Sequence, residues 1–373
     1  MKIAYFILNN FDCDSRARLE VETLLASGHD VEIIATEGAD TLNFKGARIH
    51  RIPQWSAPTR KFRFLQYNFL AARIGKALSA DVCHAVDLDT LYAAYVAAGK
   101  GRRLLVYEAR ELYTELEALA GRNLIKRVWA FLERRLIAKA QKIMTINQSL
   151  AAELMRRYGI SRPEIVRNVA PLTKMQSPVN LREIFGIPAD WKVLIYQGVL
   201  RPGQGLAYLI DMARYFEKIA LIFAGDGIIK TLLTNKVVEF GLAQKVKFAG
   251  RIDPEMLPNF TAGADAGLLL MEDVALNNRL ALPQKLFQYL AAGIPQIVSR
   301  MPEIASFVEA EGTGLIVPLD DPHRTACEII SFLSDGRRFD AARECCRRSA
   351  VRHNWELESA KLVKIYKALE SNR

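Results

Sequence analysis

Lys285 and Gln288 lie three residues apart in the stretch Leu280 to Ser299, and their types and spacing suit chemistry on an anion. On a helix they would share a face. Pro283 suits the first helical position, Gly293 the residue past the last turn, and Pro295 stops any continuation. The sequence therefore predicts one short helix, followed at once by a strand over 296–299. Near the N-terminus of such a helix, unpaired backbone N–H groups and the dipole attract negative charge, so a phosphate fits beside Lys285. Leu282, Leu286, Phe287 and Leu290 fall on the apolar face and need only a sheet to pack on.

The elements that would position this helix recur along the chain. Apolar runs predict strands over 2–8, 31–35, 82–86, 104–107 and 142–146, with helices between them, notably 15–26 closed by Gly28, and 123–140. Around 165–174 the pattern fades, which marks a boundary. A second series of strands follows over 193–197, 220–224, 246–248, 266–270, 295–299 and 315–317. This rhythm predicts two doubly wound α/β domains, 1–172 and 173–354, with a terminal helix, 355–373, packing back on the first. Ligands of such sheets bind outside the carboxyl ends of the strands, so two facing domains would share a cleft.

With 373 residues, 50% of them hydrophobic, the chain can bury two ordinary cores. Five scattered cysteines without a Cys-x-x-Cys suggest neither a disulfide framework nor zinc, and a reducing cytoplasm is the expected location. No apolar run approaches the roughly 20 residues that span a bilayer. The formal net charge is +10, most of it in the first half. Residues 41–80 contain no Asp or Glu but hold Arg51, Arg60, Lys61, Arg63, Arg73 and Lys76 among Trp55, Phe62, Phe64, Tyr67 and Phe69. Such a stretch suits an anionic membrane surface or an anionic acceptor, or is simply a helix with a solvated basic face. No nucleic-acid reader motif accompanies the charge.

Two phosphate-binding fingerprints are missing. The first strand leads into Leu8-Asn9-Asn10-Phe11-Asp12-Cys13-Asp14 where a nicotinamide enzyme would carry Gly-x-Gly-x-x-Gly, and no P-loop occurs. What does occur, in order, is Asp14-Ser15-Arg16, His84-Ala85-Val86-Asp87, Tyr107-Glu108-Ala109-Arg110-Glu111-Leu112, Tyr196-Gln197-Gly198, Ala224-Gly225-Asp226-Gly227, Phe248-Ala249-Gly250-Arg251 and Leu282-Pro283-Gln284-Lys285-Leu286-Phe287-Gln288. Along nearly its full length the chain resembles the family 4 glycosyltransferases of the GT-B fold. These are retaining enzymes that move a sugar from a nucleotide-diphosphate donor to an acceptor.

The resemblance implies a division of roles. The donor would be held by Gly198, Arg201, Gly203, Gln204, Gly205, Gly225, Gly250, Arg251, Pro283, Lys285, Leu286 and Gln288. His84, Asp87, Arg110 and Glu111 would be catalytic, and Asn10, Asp14 and Arg16 would lie on the side of a glycan, lipid-linked or small-molecule acceptor. No metal and no cofactor are implied, because fixed cations and N–H groups can stabilise a leaving diphosphate. Three positions depart from the family pattern: Gln204 replaces Arg or Lys, Gln288 replaces Glu, and Glu108 and Arg110 replace Asp and His. Arg201 and Lys285 would jointly supply the missing charge, and Arg110 would reach phosphate oxygens from the first domain. The departures also leave open a catalytically silent relative that binds a nucleotide or protein partner, and the fold leaves open a sugar-nucleotide epimerase. Two further residues carry expectations: Glu133 as a surface ion pair, and Asp226 as a turn former.

Overall fold

The computed structural model describes residues 1–36, 38, 41–53, 60–99, 101–172 and 177–371, with side chains omitted for 60–62. Trp55, the side chains of Arg60, Lys61 and Phe62, and Thr173 and Lys174 at the expected boundary lie outside the described residues. The chain divides into two compact units, Met1–Arg167 with Leu357–Arg373, and Asn168–Glu356.

The strands of the first unit are β1 (Lys2–Phe6), β2 (Asp30–Thr36), β3 (Asn43–Phe44), β4 (Ala47–Ile52), β5 (Val82–Val86), β6 (Leu104–Ala109), β7 (Lys142–Thr145) and β8 (Glu164–Ile165). They form one sheet in the order β3-β4-β2-β1-β5-β6-β7-β8, parallel except for the β3–β4 pair. Ile3, Tyr5, Val82, Ala85, Val106 and Tyr107 are wholly buried, as strands covered by helices on both faces require. The order reverses between β1 and β5, and the residues following those two strands are Asn9–Asp14 and Asp87. Three short strands, β3, β4 and β8, were not expected from the sequence. β4 takes up part of the basic window, where Arg51 pairs with Asp12 at 2.8 Å, and β8 extends the sheet into the stretch that lacked a pattern.

The second unit carries β9 (Lys192–Gln197), β10 (Ile219–Ala224), β11 (Val246–Gly250), β12 (Ala266–Leu269), β13 (Gln296–Ser299) and β14 (Gly314–Val317). All are parallel, in the order β11-β10-β9-β12-β13-β14. This is the doubly wound order whose ligand crevice lies where the winding reverses, between β9 and β12. Leu194, Tyr196, Leu206, Leu209, Phe216 and Phe223 build a core on one side. The helix that carries Lys285 and Gln288 spans Gln284–Ala291. Pro283 stands one position outside it, extended at φ −74° and ψ 149°, so proline caps the helix instead of filling its first turn. Gly293 takes φ +67° just beyond the last turn.

Candidate functional site

The segment leaving β9 is shaped by glycines. Gly198, Gly203 and Gly205 have φ of +131°, +73° and +67°, conformations that side chains disfavour. A Cβ at Gly205 would fall 2.0 Å from the Leu270 carbonyl oxygen, and one at Gly225 1.9 Å from that of Gly198. The loop can therefore lie directly on the neighbouring turns. The Glu272 amide donates to the Gly203 carbonyl at 3.0 Å and fixes the loop over the end of β12.

Lys285 reaches this loop. Its Nζ donates to Gln204 Oε1 at 2.9 Å and to the Tyr196 hydroxyl at 3.2 Å, and lies 4.3 Å from the centre of the Tyr196 ring. A Cβ on Gly198 would be 3.4 Å from that Nζ, so glycine there leaves the ammonium room. Burial pushes the Lys285 amine down to about 7, and the Arg201 guanidinium adds to the lowering. Arg201 itself is exposed. Gln204 is buried and supplies an oxygen to the lysine where a charge would repel it.

Gln288 lies on the same helix and accepts from Gln197 Nε2 at 2.6 Å; Gln197 Oε1 in turn accepts from the Thr261 hydroxyl at 2.6 Å. This fixes the amide orientation and turns the Gln288 NH₂ group to a donor role. Leu286 is wholly buried, so its side chain belongs to the core and only its backbone is available to a ligand, a correction to the role implied above. Gly250 ends β11 at φ +72°, and Arg251 after it is exposed. Asp226 Oδ1 accepts from the Gly227 amide at 2.8 Å, the turn geometry its neighbours suggested. Tyr196 and Gln197 were missed as site residues. The signal for them was their place at the carboxyl end of an apolar strand that leads into the glycine loop.

In the first unit several expected site residues form an interior network. Arg16 Nε donates to Glu108 Oε1 at 2.7 Å and pairs with Glu20 at 2.9 Å, and Arg16 donates from its terminal nitrogen to the Val166 carbonyl at 2.9 Å. Arg110 donates to Asp14 Oδ2 at 3.1 Å, to the Tyr5 hydroxyl at 2.9 Å and to Glu20 Oε2 at 3.2 Å, and its Nε is 3.0 Å from Glu108 Oε2. Burial alone would raise the Glu108 carboxyl, yet Arg110 and then Arg16 hold it well below the usual carboxylate range.

Arg110 is thus tied to carboxylates of its own unit, which corrects the expectation that it reaches for phosphate. Arg16 is 2% exposed and His84 wholly buried, its Nδ1 2.6 Å from the Tyr366 hydroxyl. Neither is accessible to a substrate, so an acceptor-side contact for Arg16 and a catalytic one for His84 are both set aside. Asn10 caps a short turn through the Asp12 amide, and Asp14 caps the helix Ser15–Ala26 through the Ala17 amide. Glu133 is buried and accepts from Tyr107 at 2.8 Å and Tyr158 at 2.6 Å, so the surface ion pair expected there is replaced by two phenols. Donor atoms of Glu20, His84 and Glu108 lie within 4.8 Å of one another, a spacing a cation could use, but two guanidiniums already answer both carboxylates.

Asp87 and Glu111 remain partly accessible. Asp87 joins β5 to the helix Leu88–Ala97 with φ +58°, a strained value for a residue with a side chain, and its Oδ1 accepts the Arg110 amide at 2.8 Å. Burial pushes its carboxyl well above the usual range and the neighbouring Glu111 adds to the rise, while burial raises Asp89 to about 7.

Residues 17–172 match the family described as Glycosyltransferase Family 4, and residues 179–350 match Glycosyl transferases group 1. The chain belongs to glycosyltransferase family 4. It is a glycosyltransferase, and its two parallel-sheet units are those of the GT-B fold. An uncharacterized glycosyltransferase from Methanocaldococcus jannaschii is 24% identical, the alignment covering 93% of this chain and 91% of that protein. A D-inositol 3-phosphate glycosyltransferase of Corynebacterium urealyticum is 23% identical over 80% of this chain and 76% of its own length. Among solved structures, sucrose-phosphate synthase from Thermosynechococcus elongatus superposes with TM-score 0.81 at 18% identity, covering 100% of both chains. Anabaena HepE in complex with UDP-glucose gives 0.79 at 17% identity, over 99% of this chain and 100% of that one. At these identities the structures speak for the fold of the family 4 chain. Among the described residues no helix is long and apolar enough to cross a membrane.

Proposed function

We propose that this glycosyltransferase is a retaining, metal-independent enzyme that takes a sugar from a nucleotide-diphosphate donor and gives it to a glycan, lipid-linked or small-molecule hydroxyl. The observation that carries the reading is Lys285, held by Gln204 and Tyr196 against Gly198 with Arg201 nearby. A partly buried amine pushed down to about 7 is poorly solvated, so a diphosphate beside it restores its charge and gains a strong charge-assisted bond. Arg201, exposed on the same loop, supplies the second positive charge.

As the bond between the anomeric carbon and the diphosphate oxygen breaks, negative charge gathers on the leaving group, where these cations and the loop amides stabilise it. The acceptor oxygen bonds to the anomeric carbon from the face the phosphate leaves, and its proton passes to a phosphate oxygen. Gln288 donates to the ribose through its NH₂ group. Asp87, whose carboxyl is pushed above its usual range by burial and then by Glu111, meets the acceptor hydroxyls together with Glu111, and Asp14, Arg16, His84 and Arg110 hold that turn in shape. Uridine diphosphate sugars are the donors to try first, because HepE, of the same fold, was solved with UDP and UDP-glucose.

The test incubates the full chain with a panel of sugar nucleotides and follows release of nucleoside diphosphate, then assigns the anomeric configuration of the product by NMR. Release from one donor with retained configuration, unaffected by chelator, supports the proposal. Inverted configuration, or activity abolished by chelator and restored by a divalent cation, contradicts it.

A further inference from the structure

The helix Asn123–Ile137 in the first unit has the wrong surface for a helix facing only water. Its inner face buries Glu133, Leu136 and Ile137. On the opposite face Leu124, Val128 and Phe131, spaced i, i+4, i+7, are 76%, 60% and 61% exposed. A stripe of large apolar side chains in one line is not the scattered exposure that soluble surfaces tolerate.

The charges beside it have one sign. Arg122, Arg127, Arg134 and Arg135 are exposed around the stripe, and the helix's one acidic residue, Glu133, points inward. Arg135 stacks over the Phe131 ring at 5.1 Å. The helix Arg60–Ala77 meets this one through the edge-on Phe64–Trp129 pair at 4.7 Å, and it too exposes large apolar groups, Leu65 at 61% and Phe69 at 70%. Apolar side chains beside long cations, with no exposed carboxylate on either helix, complement a surface that is apolar below and anionic at its rim.

We propose that the helix Asn123–Ile137 docks this protein on an anionic lipid bilayer. The helix lies in the plane of the headgroups, Leu124, Val128 and Phe131 enter the acyl boundary, and the arginines hold lipid phosphates. The inference stands on this surface alone and is independent of the donor chemistry above.

Flotation of the full chain with vesicles of phosphatidylcholine alone, or of equal parts phosphatidylcholine and phosphatidylglycerol, tests it. The wild type is expected to float with the anionic vesicles only, and to be released by salt. The triple substitution Leu124→Ser, Val128→Ser, Phe131→Ser and the pair Arg127→Glu, Arg135→Glu should each weaken binding by about tenfold or more. Both change exposed side chains, so thermal unfolding should be unaltered. Ile228→Ser with Val238→Ser, exposed apolar residues of the second unit, should leave flotation unchanged. Absence of flotation, equal flotation with neutral vesicles, or anionic binding indifferent to both helix variants would overturn the proposal. So would concentration-dependent self-association that the triple substitution abolishes, because the face would then belong to a second copy.

Discussion

The Lys285 ammonium sits 4.3 Å from the centre of the Tyr196 ring and 3.2 Å from its hydroxyl, while that hydroxyl donates to the Val199 carbonyl at 3.0 Å. One aromatic side chain at the end of β9 thus joins the helix Gln284–Ala291 to the first residues of the glycine loop. The lysine is aimed by tyrosine and Gln204, two neutral partners, and neither of them neutralises it as a carboxylate would.

The pH dependence follows from that environment. Lys285 falls from the usual 10.5 to about 7 in the folded protein, so between those values the unfolded chain holds a proton that the folded chain lacks. Stability therefore rises with pH across this window. Below about 7 both states hold the proton and the cost of burying the charge is present in full. A bound diphosphate raises the amine again. Binding inside the window is thus expected to take up protons, and affinity to weaken as pH rises. Calorimetry in buffers of different ionisation enthalpy reads this directly; an enthalpy indifferent to buffer would contradict it.

Gly198→Ala should impair both folding and binding. At φ +131° an alanine is strained by about 1–3 kcal/mol, and its Cβ would stand in contact with the Lys285 Nζ at 3.4 Å, in the space a ligand of that amine would share. A lowered thermal midpoint together with weaker nucleoside diphosphate binding is expected. Unchanged values for both would show that the loop relaxes freely.

Gln288→Glu should keep the acceptor for Gln197 Nε2, now at 2.6 Å from an amide oxygen, and replace the NH₂ group with a carboxylate oxygen that accepts from a diol. Binding of a ribonucleoside is expected to strengthen by about 1 kcal/mol, with no gain for the dideoxy analogue. A loss with both ligands would place the ribose elsewhere.

Glu108→Gln tests the network of the first unit. It leaves Arg16 and Arg110 buried with one carboxylate fewer and should cost about 3–5 kcal/mol, seen as a lower midpoint in denaturant. A variant as stable as wild type would mean that Glu20 and Asp14 alone compensate both guanidiniums.

Legibility in the sequence followed the range of the interactions. The doubly wound strands were visible because parallel strands buried on both faces read as unbroken apolar runs, and the helix Gln284–Ala291 because Pro283, Gly293 and Pro295 mark its ends locally. Lys285 with Gln288 was legible from spacing on one face. Interior charge was not: Arg16 is buried by Glu108 and Val166, residues far along the chain, and nothing near Glu133 announces the phenols of Tyr107 and Tyr158. The Gln204 bond to Lys285 was hidden for the same reason, since it spans 81 residues. β4 was missed because its alternation of Arg48, His50 and Arg51 with Ile49 and Ile52 reads as basic before it reads as a strand.

The most direct test of the account is titration of the full chain with a nucleoside diphosphate and with the matching nucleoside, for wild type and Lys285→Ala. Loss of one charge-assisted bond should weaken the diphosphate by roughly tenfold to a hundredfold and leave the nucleoside nearly unchanged. Equal losses for the two ligands, or none for either, would show that Lys285 does not hold the diphosphate.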